Sequence, residues 1–221
     1  MHSVVLGMRV NVISIPGVIK QTEFWVNSGG GYYICVSNVH MCMESHDNPQ
    51  FRDVVNNADL VIPDGKPLVW AQKLLGVKEA QQVRGMDLML SLCAYAEDKG
   101  WSVGFYGSTP DVLLMLNAAL LQHYPNLDIK LSLSPPFRPL SAEEEGDYIA
   151  RINDSGVKIL FVGLGCPKQE RWMAEHRDQL NCVMIGVGAA FDFIAGEKQH
   201  APMWMQETGL EWLFRLVCEP R

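Results

Sequence analysis

Short apolar runs rich in β-branched and aromatic residues alternate with stretches whose apolar positions recur at helical spacing. The runs Tyr32–Val36, Leu60–Ile62, Ser102–Tyr106, Leu127–Leu133, Ile159–Val162 and Cys182–Ile185 read as strands. Helices are predicted near Pro49–Asn57, Pro67–Leu75, Asp87–Lys99 and Asp111–His123, then from Ser141 onward and from Pro167 to about Leu180. In two of them Met89, Leu92, Cys93 and Ala96, or Leu113, Leu116 and Leu120, share one face. A last helix is predicted from near Pro202, with Leu210, Leu213, Phe214 and Val217 along its apolar stripe. Strands separated by helices of about ten residues or more predict an α/β fold, a doubly wound, mainly parallel, Rossmann-like sheet with helices on both faces.

The length of 221 residues suits a single domain over 1–221, ending in a helical segment from about 202. Hydrophobic content of 48% and charged content of 19% are those of an ordinary globular protein. A formal net charge of −7 argues against a nucleic-acid partner, which selects for a basic stripe, and shows no polybasic membrane patch. The six cysteines form no CxxC pair and no zinc spacing, so they read as small buried hydrophobes in a reducing compartment. The opening residues MHSVVLGMRVNVIS lack a charged start and long apolar core, and no stretch nears the roughly 18 apolar residues of a spanning helix. A cytoplasmic protein is expected.

In a doubly wound sheet, ligands gather at the carboxyl ends of the strands. Four predicted strand ends are rich in glycine and polar residues: Ser37-Asn38, Asp64-Gly65, Gly107-Ser108-Thr109 and Gly163–Gln169. Gly186-Val187-Gly188 is a candidate fifth. The richest in signal is KILFVGLGCPKQER at Lys158–Arg171, where an apolar strand is cut by Gly163 and Gly165 before Pro167 opens a helix. Proline suits a first helical position, where its missing N–H has no partner to lose. The neighbouring amides and the positive end of the helix dipole are then expected to be open to an anion, with Lys168 and Gln169 beside them. That chemistry suits a phosphorylated small molecule.

Asp64, after the short strand LVIP, is placed to act as a general base, although an Asp-Gly turn or a helix cap would use it equally. Arg84 could clamp a phosphate or carboxylate in bidentate fashion, or simply lie on the surface. Ser108 and Thr109 offer hydroxyls and amides to a phosphate or ribose, or an ordinary cap ahead of Pro110. Asp192, an acid in the apolar run GVGAAFDFIAG, either pairs internally or faces the ligand. His176 and His200 read as packing or surface residues, and Glu211 with Arg215 as a local i,i+4 ion pair. The chain has no GxSxG elbow, no Walker GxxxxGK[ST] and no complete GxGxxG. It also lacks the closely spaced Asp-x-Asp that holds a metal–diphosphate, so no metal and no cofactor is expected.

Taken in order, these motifs resemble those of the WecG/TagA/CpsF glycosyltransferases, glycosyltransferase family 26. The resemblance rests on VSNVHM at Val36–Met41, NNADLVIPDGKPLVW at Asn56–Trp70, VRGMDL at Val83–Leu88 and GFYGSTP at Gly104–Pro110. It continues through FVGLGCPKQERW at Phe161–Trp172, GVGAAFDFIAG at Gly186–Gly196, APMW at Ala201–Trp204 and GLEWLFRLVCEPR at Gly209–Arg221. It implies an inverting, metal-independent enzyme that moves a sugar from a UDP-sugar to a lipid-linked saccharide at the inner face of a bacterial membrane. Such products feed teichoic acid, common antigen, capsule or exopolysaccharide.

By that resemblance Asp64 is the base, Arg84 and Gln169 hold the donor or its diphosphate, and Asn38 lines the pocket. Some relatives carry a threonine two positions before the asparagine; here Val36 stands there, with Ser37 beside it. Relatives usually continue into a basic helical tail thought to touch the membrane, which this chain would lack. The resemblance leaves the sugar, the acceptor and homo-oligomer formation open. Glycine-rich strand ends serve two other readings as well: a nucleotide- or flavin-binding oxidoreductase, and a non-catalytic nucleotide-sugar-binding subunit.

Overall fold

The strands read from the apolar runs pair side by side in a computed structural model, which describes residues 1–198 together with 201, 202, 204, 205, 209 and 214. The chain opens with β1 (His2–Val5), β2 (Met8–Asn11) and α1 (Ile15–Ser28), then runs through β3 (Tyr32–Ser37), α2 (Val39–Asp47) and α3 (Pro49–Asn56). It continues through β4 (Leu60–Pro63), α4 (Lys66–Leu74), α5 (Gly85–Lys99), β5 (Ser102–Gly107) and α6 (Pro110–His123). Next come β6 (Asp128–Leu133), α7 (Ala142–Ser155), β7 (Ile159–Gly163), α8 (Lys168–His176), β8 (Val183–Gly186) and α9 (Ala190–Ile194).

β3 to β8 form one six-stranded sheet in the order β4-β3-β8-β7-β5-β6, with every neighbouring pair parallel. This is the doubly wound α/β sheet that the alternation predicts. Side chains alternate across it as the pleat requires. Ile34, Val36, Ile62, Phe105, Phe161 and Ile185 point to a core closed by α1, α5, α6 and α9. Tyr33, Cys35, Val61, Leu160, Val162 and Met184 point to the other, closed by α2, α3, α7, α8 and the β1–β2 hairpin. Near-continuous apolar strands are therefore the expected sequence for this sheet, because both faces are covered.

Helix starts follow from local chemistry. Ser14, Asn38, Asn48 and Thr109 cap α1, α2, α3 and α6 through their side chains. Ser141 and Glu144 form a reciprocal capping box on α7, and Arg138 holds Glu144 with charge-assisted bonds that lower its carboxyl pKa to about 2.

Several elements were not read from the pattern. α1 carries its Ser14 cap and Pro16, which together mark a helix start. The β1–β2 hairpin turns through Leu6 and Gly7, both at positive φ, as a two-residue turn requires. It protects the β4 edge, since Asn11 Oδ1 accepts the Val61 amide at 2.9 Å.

Among the described residues no helix is long and apolar enough to cross a membrane. Cys35, Cys42, Cys93 and Cys182 are buried free thiols, as the apolar runs predict, and Cys166 is half-buried. Most of the helix expected from Pro202 lies outside the described residues, including Leu210, Leu213 and Val217, as do His200, Glu211, Arg215 and Cys218.

Two glycines are fixed by packing at the rim of the sheet. Gly107 has φ +123°, and a Cβ there would stand 2.5 Å from the Gly163 carbonyl. A Cβ on Gly163 would stand 2.6 Å from the ring of Phe191 in α9. Gly107→Ala combines backbone strain with a clash against main chain, so a loss of about 2–4 kcal/mol in unfolding free energy is expected by urea titration.

Candidate active site

Because the six strands are parallel, Asn38, Asp64, Gly107, Gly163 and Gly186 all lie on one rim. The chain leaves β3 into α2 on one face of the sheet and leaves β8 into α9 on the opposite face. That divergence between adjacent strands opens the crevice where doubly wound sheets bind ligands. Asp64 at the end of β4 lies three interstrand spacings from the turn after β7, about 14 Å along the rim.

On the β4 side, the Asp64 amide donates to Ser37 O at 2.8 Å. Its carboxylate Oδ1 accepts the Gly85 amide at 2.9 Å, and its carbonyl accepts Gln82 Nε2 at 2.6 Å. The Val83 amide meanwhile reaches Pro63 O at 2.8 Å. Asp64 therefore sits at the N-terminus of α5, whose own cap position, Arg84, makes no side-chain cap. The capping alternative holds in an unexpected form, since the helix capped is not the next one but the one after it.

Asn38 caps α2 through Oδ1, which accepts Met41 N at 3.1 Å, leaving Nδ2 as the end of the amide that can face a ligand. Gly65 adjoins it, since a Cβ there would lie 3.6 Å from Asn38 Cα. The hydroxyl of Ser37 is buried and donates to Ile62 O at 2.8 Å, so it ties β3 to β4. Gly209 rests on Trp70 and Lys66 of α4, bringing residue 209 beside the segment that begins at Asp64.

On the β7 side the geometry departs from the simple anion cradle. Pro167 follows a cis peptide bond and occupies the cap position, with α8 starting at Lys168. Two amides of this turn are engaged internally: Gly165 N donates to Gln169 Oε1 at 3.2 Å, and Gln169 N donates to Gly165 O at 2.9 Å. Gln169 is only 3% exposed, and its Nε2 donates to Glu170 Oε1 at 2.7 Å. Its side chain also packs beneath Gly186, where a Cβ would stand 3.0 Å from Nε2. Gln169 thus shapes the turn from within. Gly165 has φ +81° and open space where a Cβ would be, so its backbone is the part of the turn a ligand can approach closely. Lys168 is exposed at its edge.

The Gly107–Thr109 end is similarly occupied. Ser108 N donates to Gly163 O at 3.1 Å, and Thr109 Oγ1 accepts Val112 N at 3.3 Å as the cap of α6. Asp192 pairs internally, with its carboxylate 3.1 Å from Lys198 Nζ. His176 is buried, with Nδ1 2.8 Å from Trp172 O and Nε2 3.3 Å from Glu145, which is a packing role.

Glu170, absent from the residues picked out by sequence, is fully buried, and desolvation pushes its carboxyl pKa up. Its signal was an acid inside an amphipathic helix at a position that packing would give to an apolar residue. Among the described residues no group of three or more His, Cys, Asp or Glu is placed to hold a metal ion.

The sequence profile of the glycosyl transferase WecG/TagA/CpsF family matches residues 3–221. A curated relative from Bacillus spizizenii, named N-acetylglucosaminyldiphosphoundecaprenol N-acetyl-β-D-mannosaminyltransferase, is 27% identical over 197 residues, covering 89% of this chain and 75% of its own.

The cap made by Asp64 has a measurable consequence. Asp64→Asn keeps an acceptor for Gly85 and is expected to unfold within about 0.5 kcal/mol of the parent, whereas Asp64→Ala should lose about 1 kcal/mol or more in denaturant unfolding.

Proposed function

Since the chain belongs to the WecG/TagA/CpsF glycosyltransferase family, we propose that it moves a sugar, with inversion, from a UDP-sugar to a polyprenyl-diphosphate-linked saccharide in bacterial cell-surface polysaccharide synthesis. The observation that supports this reading most is the shared rim: a carboxylate anchored at one end of a crevice, and a glycine turn with an exposed lysine about 14 Å along it. The first donor to try carries N-acetylmannosamine, the group named for the Bacillus spizizenii relative.

In this reading Asp64 accepts the proton of the acceptor hydroxyl, with its Oδ1 held by Gly85 so that the carboxylate keeps one orientation. The acceptor oxygen forms a bond to the anomeric carbon from one face. The bond from that carbon to the diphosphate breaks on the other face, and its electron pair leaves with UDP. A single displacement of this kind inverts the centre. Arg84, Lys168 and the N-terminal end of α8 supply positive potential to the departing diphosphate, with Gly165 allowing close approach of the backbone. Asn38 and Gly65 border the sugar beside Asp64.

A polyprenyl acceptor resides in a bilayer, so the reading also carries peripheral contact with the inner face of the membrane.

The test is UDP release from a panel of UDP-sugars in the presence of a polyprenyl-diphosphate-linked saccharide, with UDP binding followed by calorimetry. Asp64→Asn is expected to lower turnover at least 100-fold, the lower range for loss of a general base, while UDP binds within about twofold of the parent. Full turnover by Asp64→Asn removes that residue from the role, and absence of UDP binding by the parent removes the donor.

A further inference from the structure

Glu170 is the one fully buried carboxylate among the described residues. It is the third residue of α8, and the buried Cys35 and the Cys166 thiol interact with it electrostatically. Burying a carboxyl in such a setting is costly, and besides Gln169 its polar surroundings are the Cys166 thiol and its own backbone amide. The return is on Oε1, which accepts Gln169 Nε2 at 2.7 Å.

A primary amide can present either its oxygen or its nitrogen to a neighbour, and Gly165 N needs the oxygen. Facing an accepting carboxyl oxygen, the nitrogen of Gln169 is turned toward Glu170 Oε1 and its oxygen toward the Gly165 amide, which can only donate. Gly165, Gln169 and Glu170 are thus joined in series behind the face that a ligand meets.

We propose that Glu170 is a positioning residue: by fixing which end of the Gln169 amide faces Gly165, it holds the glycine turn in the shape that receives the donor diphosphate. The proposal rests on the donor reading above for its effect on binding, whereas the brace itself is independent of that reading. Without the carboxyl, the Gln169 amide can rotate, its nitrogen confronts the Gly165 N–H, and the turn loses its internal tie.

Two readouts on the full chain test this. Glu170→Met keeps an unbranched side chain of similar length and removes the acceptor. Amide hydrogen exchange at Gly165 is expected to quicken roughly five- to tenfold in Glu170→Met, with exchange in the central strands unchanged. UDP affinity should fall by a similar factor. Glu170→Gln, which retains an oxygen acceptor, should stay within about threefold of the parent in both readouts.

A purely structural role would lower thermal stability and leave Gly165 exchange and UDP affinity of the folded protein unmoved, which overturns the proposal. So does a Gln variant as impaired as the Met variant. If the parent does not bind UDP, the donor reading fails and Gly165 exchange alone decides the brace. Should Glu170→Met not fold, Glu170→Asp withdraws the acceptor while keeping the carboxyl and carries the same expectation.

Discussion

The hydrogen bond from the Gly85 amide to Asp64 Oδ1 joins the end of an edge strand to the start of a helix that crosses the sheet. α5 has no side chain of its own at the cap, so the carboxylate supplies what its first turn lacks. The same bond fixes the orientation of the carboxylate at the rim of the sheet. Around it, Gln82 and Val83 donate to the carbonyls of Asp64 and Pro63, and the Asp64 amide returns to Ser37. The segment before α5 is therefore laid along the strand end as a short splint. In the proposed reaction a base held in one orientation by such a surround leaves little ordering for the moment of reaction.

From there, contacts run without a break to the other half of the rim. A Cβ on Gly85 would lie 3.2 Å from Val36 and 3.7 Å from the Val187 carbonyl, so the start of α5 rests on the ends of β3 and β8. The amides of Val187 and Gly188 return to Val162 in β7. Gly186 and Gly188 adjoin the Gln169 amide, which in turn holds Gly165. Small residues at 85, 163 and 186 are what allow the covering elements to settle so closely on the strand ends. The spacing between the two halves is then set by the sheet itself.

The strands, their order of appearance and the larger helices were legible because both faces of the sheet are buried, leaving long apolar runs between polar turns. The rim was legible for the same reason, as parallel strands deliver their turns to one side. What the chain did not disclose was where each polar group is spent. Gln169 reads from sequence as a ligand-facing amide, yet its partners are Gly165 one turn back and Glu170 next to it. Ser108 and Thr109 read equally as ligand-facing groups or as a helix cap; the Ser108 amide serves Gly163 and Thr109 caps α6. Asp64 and Gly85 are 21 positions apart, and nothing in their local patterns announces a cap formed across that interval. Family resemblance pointed to the residues, but only the three-dimensional arrangement separates those that line the crevice from those that support it.

The hairpin at the start of the chain gives the sheet two unlike borders. At β4 the lateral amide of Val61 is consumed by Asn11, which blunts that edge against strand addition. At β6 no further strand pairs among the described residues, and Asp128 and Lys130 place opposite charges along that border. Lateral growth of this sheet by strand addition, whether useful assembly or aggregation, is thereby favoured at the β6 margin, the one farthest from Asp64.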